Sequence, residues 1–359
     1  MMKRILILWL LIGLPLMLLA QDRERPKNIV LMIGDGMGLT QISAAMYNQN
    51  QPLNLERFQK IGLMKTHSAT NRVTDSAAAG TALATGVKTF NGAIGVGPDT
   101  VPVQSILEEL SLVGFKTGLV ATCFIAHATP AAFFAHQPSR NMYEEIATDL
   151  LNTNVDIFIA GGRDHFNKRK SDNRNLLKEL EHKGYTIIDR PKSLFDQVDF
   201  NEVERLGYFT DGGHPAKFLD GREWLPEATA FALEFLSEKA DKGFFIMIEG
   251  SQIDWAGHDN DARHIIGETY DFDQAVGRAL DFVQKDGETL LIVLADHETG
   301  GMGINGETKK GALDIGWTTK GHTATMVPVF SYGPGSEHFT EIFDNIDVYK
   351  KMRALLLNL

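Results

Sequence analysis

The sequence predicts an α/β fold, a three-layer sandwich around a mostly parallel central sheet. Short apolar runs alternate along the chain with segments of helical period. Those runs are continuous rather than alternating with polar residues, which marks strands covered on both faces. Composition is ordinary for a globular protein, with 359 residues, 43% hydrophobic and 23% charged. It excludes a collagen, a disordered polymer and a polytopic membrane protein.

Taken in order, the first segment stands apart from the fold. Lys3 and Arg4 precede an uncharged run from Ile5 to Ala20. The run is short for a membrane span, which needs about 20 residues, and reads as a signal peptide over 1–20. The alternative is an uncleaved N-terminal anchor. With 35 Lys+Arg against 46 Asp+Glu the formal charge is −11, and removal of Lys3 and Arg4 takes it to −13. The expected mature protein, 21–359, is acidic and exported, to the periplasm or beyond. No membrane segment is expected after removal of that run, and the acidic charge argues against a specific nucleic-acid partner. A single cysteine, Cys123, rules out an intrachain disulfide, a Cys-rich zinc module and a C-x-x-C redox site.

Strands are expected at Ile29–Ile33, Gly118–Ala121, Val155–Ala160, Phe244–Ile248, Thr289–Ala295 and Met326–Ser331. One helix is marked by Val103, Ile106, Leu107, Leu110 and Val113, another by Ala228, Phe231, Ala232, Phe235 and Leu236. The polar stretch 163–222 reads as an irregular insertion at the sheet edge or over the site mouth, within one domain. Ile346 to Leu359 reads as an amphipathic helix packed on the core or at an interface.

A sheet of this kind binds ligands at the carboxyl ends of its strands. The run ending at Ile33 leads into Gly34-Asp35-Gly36-Met37-Gly38, the run ending at Ile248 into Glu249, and the run ending at Ala295 into Asp296-His297. One acid at a strand end is usually a helix cap. Three such acids at one edge of a parallel sheet require cations, because burying even one unpaired carboxylate costs several kcal/mol. Asp254 and His258 are spaced to face one ion, and His322 precedes the last strand. Imidazole with carboxylate and no thiolate suits an open zinc site. Among the eleven histidines, metal ligation is assigned to His258, His297 and His322. In Val73-Thr74-Asp75-Ser76-Ala77-Ala78-Ala79-Gly80, Ser76 sits where a helix begins and anions are favoured. It is either a plain N-cap or a nucleophile. No Ser-His-Asp arrangement or G-x-S-x-G motif is evident, so a nucleophilic Ser76 needs a metal activator.

These residues resemble the alkaline phosphatase family. The Asp35 and Ser76 motifs, Ala128-Thr129-Pro130-Ala131-Ala132 with Ser139-Arg140, the Glu249–His258 stretch, Ala295-Asp296-His297 and Gly321-His322-Thr323 match its motifs in order, over roughly Asn28 to Gly333. Gly267-Glu268-Thr269 with Asp271-Phe272-Asp273 looks like the helix after its zinc loop. The resemblance implies an alkaline-phosphatase-like fold, a homodimer, and hydrolysis of small phosphate monoesters through a phosphoserine on Ser76. It implies two zinc ions, one on Asp254, His258 and His322 and one on Asp35, Asp296 and His297. It implies a magnesium on Asp35, Thr129 and Glu249, and a phosphate clamp in Arg140. Asp75, His127 and Trp255 would stand just behind these groups. His127 and Trp255 depart from the best-known bacterial pattern of Asp and Lys, and resemble cold-adapted bacterial members. Ser76 followed by alanines does not fit a sulfatase. Ser76, Arg140 and Glu249 together favour monoesters over diesters.

Overall fold

The apolar runs become strands of one ten-stranded sheet in the computed structural model, which describes residues 25–49, 51–189, 195 and 198–357. The expected signal peptide, 1–20, lies outside the described residues. The strands are β1 (Asn28–Gly34), β2 (Lys60–Lys65), β3 (Lys116–Phe124), β4 (Ile157–Gly161), β5 (Tyr185–Asp189), β6 (Arg205–Phe209), β7 (Phe244–Gly250) and β8 (Thr289–Leu294). They continue with β9 (Glu298–Thr299), β10 (Met302–Glu307), β11 (Leu313–Trp317), β12 (His322–Thr323), β13 (Val327–Tyr332) and β14 (Ile342–Asp344). The main sheet has the order β14-β2-β13-β8-β1-β7-β3-β4-β6-β5. In it only β13 runs against the others, antiparallel to both β8 and β2. The central strands β1, β7 and β8 are buried along their whole length. That is the physical meaning of their unbroken apolar runs.

The helices are α1 (Leu39–Asn48), α2 (Ser76–Thr85), α3 (Ile106–Leu112), α4 (Ala128–Ala131), α5 (Tyr143–Asp149), α6 (Asp164–Asn167), α7 (Leu176–His182), α8 (Leu225–Lys239), α9 (Gln252–Asp259), α10 (Ala262–Asp286) and α11 (Asn345–Leu357). One group, α1, α8, α9 and α10, packs together around α10. Another, α2, α3, α4 and α11, packs around α2. Both groups rest on the sheet, giving the three layers. Helix α3 starts at a capping box, with Glu108 N–H donating to Ser105 and the Glu108 carboxylate accepting from Ser105 N–H. The carboxyl-terminal helix α11 buries Val348, Met352 and Leu355 and packs on α2, so it belongs to the core.

The segment 163–222 is more ordered than its polarity suggests. It supplies β5 and β6, which extend the parallel sheet beyond β4. These strands escape a reading by apolar runs because they are short and one is the sheet edge, where residues such as Thr186 and Asp189 stay exposed. The segment closes with Arg222, whose guanidinium is buried against α10. It donates to Asp271 Oδ2 at 2.6 Å and to the Glu268 carboxylate, with all three side chains 2% exposed. Glu268 also accepts from Phe218 N–H at 2.8 Å. Arg222→Ala takes the guanidinium from Asp271 and leaves Glu268 with only Phe218 N–H and His264, and is expected to cost about 3–5 kcal/mol of unfolding free energy. The urea midpoint should fall accordingly, and a midpoint unchanged from wild type would contradict this.

Candidate active site

Strand register sets the site. β1 lies between β7 and β8, with Ile33 opposite both Glu249 and Leu294. Asp35 and Asp296 therefore sit two residues beyond this row on neighbouring strands, and Glu249 lies in the row itself, on the other side of β1. All three are fully buried. Burial and the charges of Asp296, Asp254 and Glu249 push the Asp35 carboxyl well above its ordinary range. Burial first, with Asp296 adding to it, moves Glu249 up to about 7. Burial and Asp254 move Asp296 up to about 6. Asp35 Oδ1, Asp296 Oδ2 and Glu249 Oε1 have no hydrogen-bond partner. Buried acceptors with no donors and mutually repelling charge are what a cation would satisfy.

The histidines complete two donor sets. His297 Nε2 lies 3.1 Å from Asp296 Oδ2 and 3.5 Å from Asp35 Oδ1. In the second set, His258 Nε2 is 3.4 Å from Asp254 Oδ2, and His322 Nε2 is 3.3 Å from Asp254 Oδ1. The two Nε2 atoms face each other at 3.1 Å. Their Nδ1 atoms point to backbone carbonyls, His258 to Lys320 at 2.5 Å and His322 to Thr74 at 2.8 Å. Those carbonyls accept from Nδ1–H, so Nε2 is the nitrogen that faces Asp254 with a proton or a cation with a lone pair. Four ligands at about 2.0–2.1 Å around tetrahedral zinc stand about 3.3 Å apart. Both sets fit that spacing.

Local folding explains the placement of Asp254. Helix α9 brings Asp254 and His258 onto one face. Thr299 Oγ1 donates to Asp254 Oδ1 at 2.5 Å. Burial opposes charge on Asp254, but hydrogen bonds from His258 and His322 hold its carboxyl well below the ordinary range. Asp254 in turn raises His258 to about 9. Gly36, at φ +72°, lets the chain turn against this residue, since a Cβ there would stand 2.9 Å from Asp254 Cα.

Ser76 is the first residue of α2, and the cap is Asp75, whose carboxylate accepts from Ala78 N–H at 3.0 Å. The plain N-cap explanation of Ser76 therefore fails: its hydroxyl is free of capping and sits 3.3 Å from His297 Nε2. Asp75 also accepts from Gly92 N–H and from Arg140 Nη1, each at 3.0 Å. That pairing holds the Arg140 guanidinium beside the start of α2. Its other arm lies 3.4 Å from His127 Nε2. Burial, with the nearby charge of Arg140, depresses the His127 imidazole well below its ordinary value, so it is neutral. Trp255 packs edge-on to His127, with centroids 5.9 Å apart. Thr129, buried at the start of α4, lies 3.5 Å from Asp35 Oδ2. All the residues singled out from the sequence thus meet in one region.

Several neighbours were not legible. Thr299 orients Asp254. Cys123, on β3, lies 3.4 Å from Glu249 Oε2. His214, from the 163–222 segment, packs 4.5 Å from Trp255 and 5.6 Å from His127. No local motif marks any of them, since each is recruited by long-range packing.

Protons and cations compete for this cluster. Asp296 and Glu249 have raised values in the folded chain, so without cations these two groups bind more protons than they do unfolded, and their contribution to stability is lost as pH rises from about 4 through 7. After EDTA treatment, zinc should raise the melting temperature strongly at pH 8. The gain should shrink as pH falls from 7 to 5. A zinc-induced shift equal at pH 5 and pH 8 would refute this coupling.

The chain matches the alkaline phosphatase family over residues 26–314. It is 37% identical to alkaline phosphatase 4 of Bacillus subtilis (strain 168), covering 91% of this chain and 88% of that one. It is 32% identical to the alkaline phosphatase of Escherichia coli (strain K12), covering 92% and 86%. The alkaline phosphatase from the Antarctic bacterium TAB5 superposes with a TM-score of 0.87 at 42% identity, covering 92% of this chain and 98% of that one. A His-to-Asp mutant of that protein, with Mg bound in the M3 site, gives the same TM-score.

Proposed function

The chain belongs to the alkaline phosphatase family and is a metal-binding phosphoric monoester hydrolase, and from that premise we propose that it works through a phosphoserine on Ser76 with two zinc ions and one magnesium. The observation that carries the reading is the Ser76 hydroxyl, not used in capping, 3.3 Å from His297 of one of two imidazole–carboxylate donor sets. One zinc would be held by Asp254, His258 and His322, the other by Asp35, Asp296 and His297. Magnesium would be held by the oxygen donors Asp35, Thr129 and Glu249.

What such cations supply is Lewis acidity: neutralised phosphate charge and a lowered pKa for the oxygens they touch. The remaining work falls to the chain. Arg140, steadied by Asp75, clamps two nonbridging oxygens with its planar fork. The amino end of α2 favours the same negative charge. Ser76 Oγ attacks phosphorus in line, forming the Oγ–P bond as the bond to the leaving alcohol oxygen breaks and that oxygen takes up a proton. Water then attacks from the side the alcohol left, releasing phosphate and restoring the hydroxyl. Positioning and charge neutralisation are most of what phosphoryl transfer needs.

Export and a homodimer complete the reading, supported by the apolar run from Ile5 to Ala20 and by the family. Among the described residues no helix is long and apolar enough to cross a membrane.

Ser76→Ala should lower kcat on p-nitrophenyl phosphate by about 10³-fold or more, with zinc content intact. Turnover near wild type with zinc bound would defeat the proposal. The pair His127 and Trp255 places a neutral imidazole and an indole where Asp and Lys would add charge, so phosphate should be held loosely. His127→Asp combined with Trp255→Lys should therefore tighten competitive inhibition by phosphate, and an unchanged inhibition constant would refute that role.

A further inference from the structure

The position beside Glu249 has two donor sets, not one. The oxygen set of Asp35, Thr129 and Glu249 suits magnesium. The Cys123 thiol also reaches this carboxylate, buried and 3.4 Å from Glu249 Oε2. A ring nitrogen of His127, Cys123 Sγ and a Glu249 oxygen all fall within 4.8 Å of one another. Two atoms of this trio are buried with no hydrogen-bond partner, Glu249 Oε1 and His127 Nδ1. Glu249 itself is fully buried. Sulfur and imidazole donors with one carboxylate form a set that magnesium disfavours and that zinc or cobalt accepts.

We propose that the third cation position of this chain accepts a borderline or soft divalent ion by recruiting Cys123 and His127 alongside Glu249, so that the ion supplied decides which donor set is used. The inference rests on a cation binding beside Glu249. Coordination replaces the thiol proton, which passes to solvent, and the dication is then balanced by one thiolate and one carboxylate.

Because Cys123 is the only cysteine in the chain, any thiolate-to-cobalt charge-transfer band reports on it alone. The full chain, stripped of metal and loaded with cobalt in the absence of magnesium, should show that near-ultraviolet band. It should bind one more cobalt per chain than Cys123→Ser, in which the band is lost. His127→Ala, which keeps the thiol, should lose or shift the band, and serves if Cys123→Ser does not fold. Three bound cobalt ions without the band would overturn the proposal while leaving the Ser76 mechanism standing. So would binding of only two ions without the band, or a band that survives in Cys123→Ser. Failure of the mechanism itself reads out separately, in the turnover of Ser76→Ala.

Discussion

Three carboxylates at the ends of three adjacent buried strands are the constraint around which this molecule is organised. Neighbouring strands stand about 4.8 Å apart, and the β7-β1-β8 register puts Asp35 and Asp296 side by side, two residues beyond Glu249. In water such a cluster is tolerable. Here it is enclosed by protein, so either protons or cations must neutralise it. The raised carboxyls of Asp35, Glu249 and Asp296 are the proton side of that choice. The unpartnered oxygens are the cation side.

The rest of the site is arranged to make cations the better solution. Backbone carbonyls at Lys320 and Thr74 engage the Nδ1 atoms of two imidazoles and leave their Nε2 atoms facing inward, where a cation can displace the proton. Thr299 fixes Asp254 between them. Capping of α2 by Asp75 keeps the Ser76 hydroxyl from being spent on the helix end. The same carboxylate anchors Arg140, so one side chain positions both the nucleophile's helix and the phosphate clamp.

Outside this centre, the 163–222 segment joins sheet to site. Its strands β5 and β6 extend the parallel sheet, and its Arg222 is locked into α10 by Glu268 and Asp271. Between those anchors it carries His214 to Trp255 and His127. A surface segment anchored at both ends is a stable wall for a site, and its side chains can vary without disturbing the strands that hold the acids.

The sequence by itself determined the layers, the central strands and the acids at their ends, because continuous apolar runs and the polar residues that follow them are local signals. It also determined the spacing of Asp254 and His258 on one helical face. Only tertiary structure decided that Asp75 rather than Ser76 caps α2, that Cys123 and Thr299 stand against metal-capable groups, and that the polar 163–222 segment completes the sheet. Those facts depend on contacts between residues far apart in the chain. Edge strands lack the two covered faces that write a strand into the sequence, and a lone threonine or cysteine carries no periodicity from which its neighbours could be read.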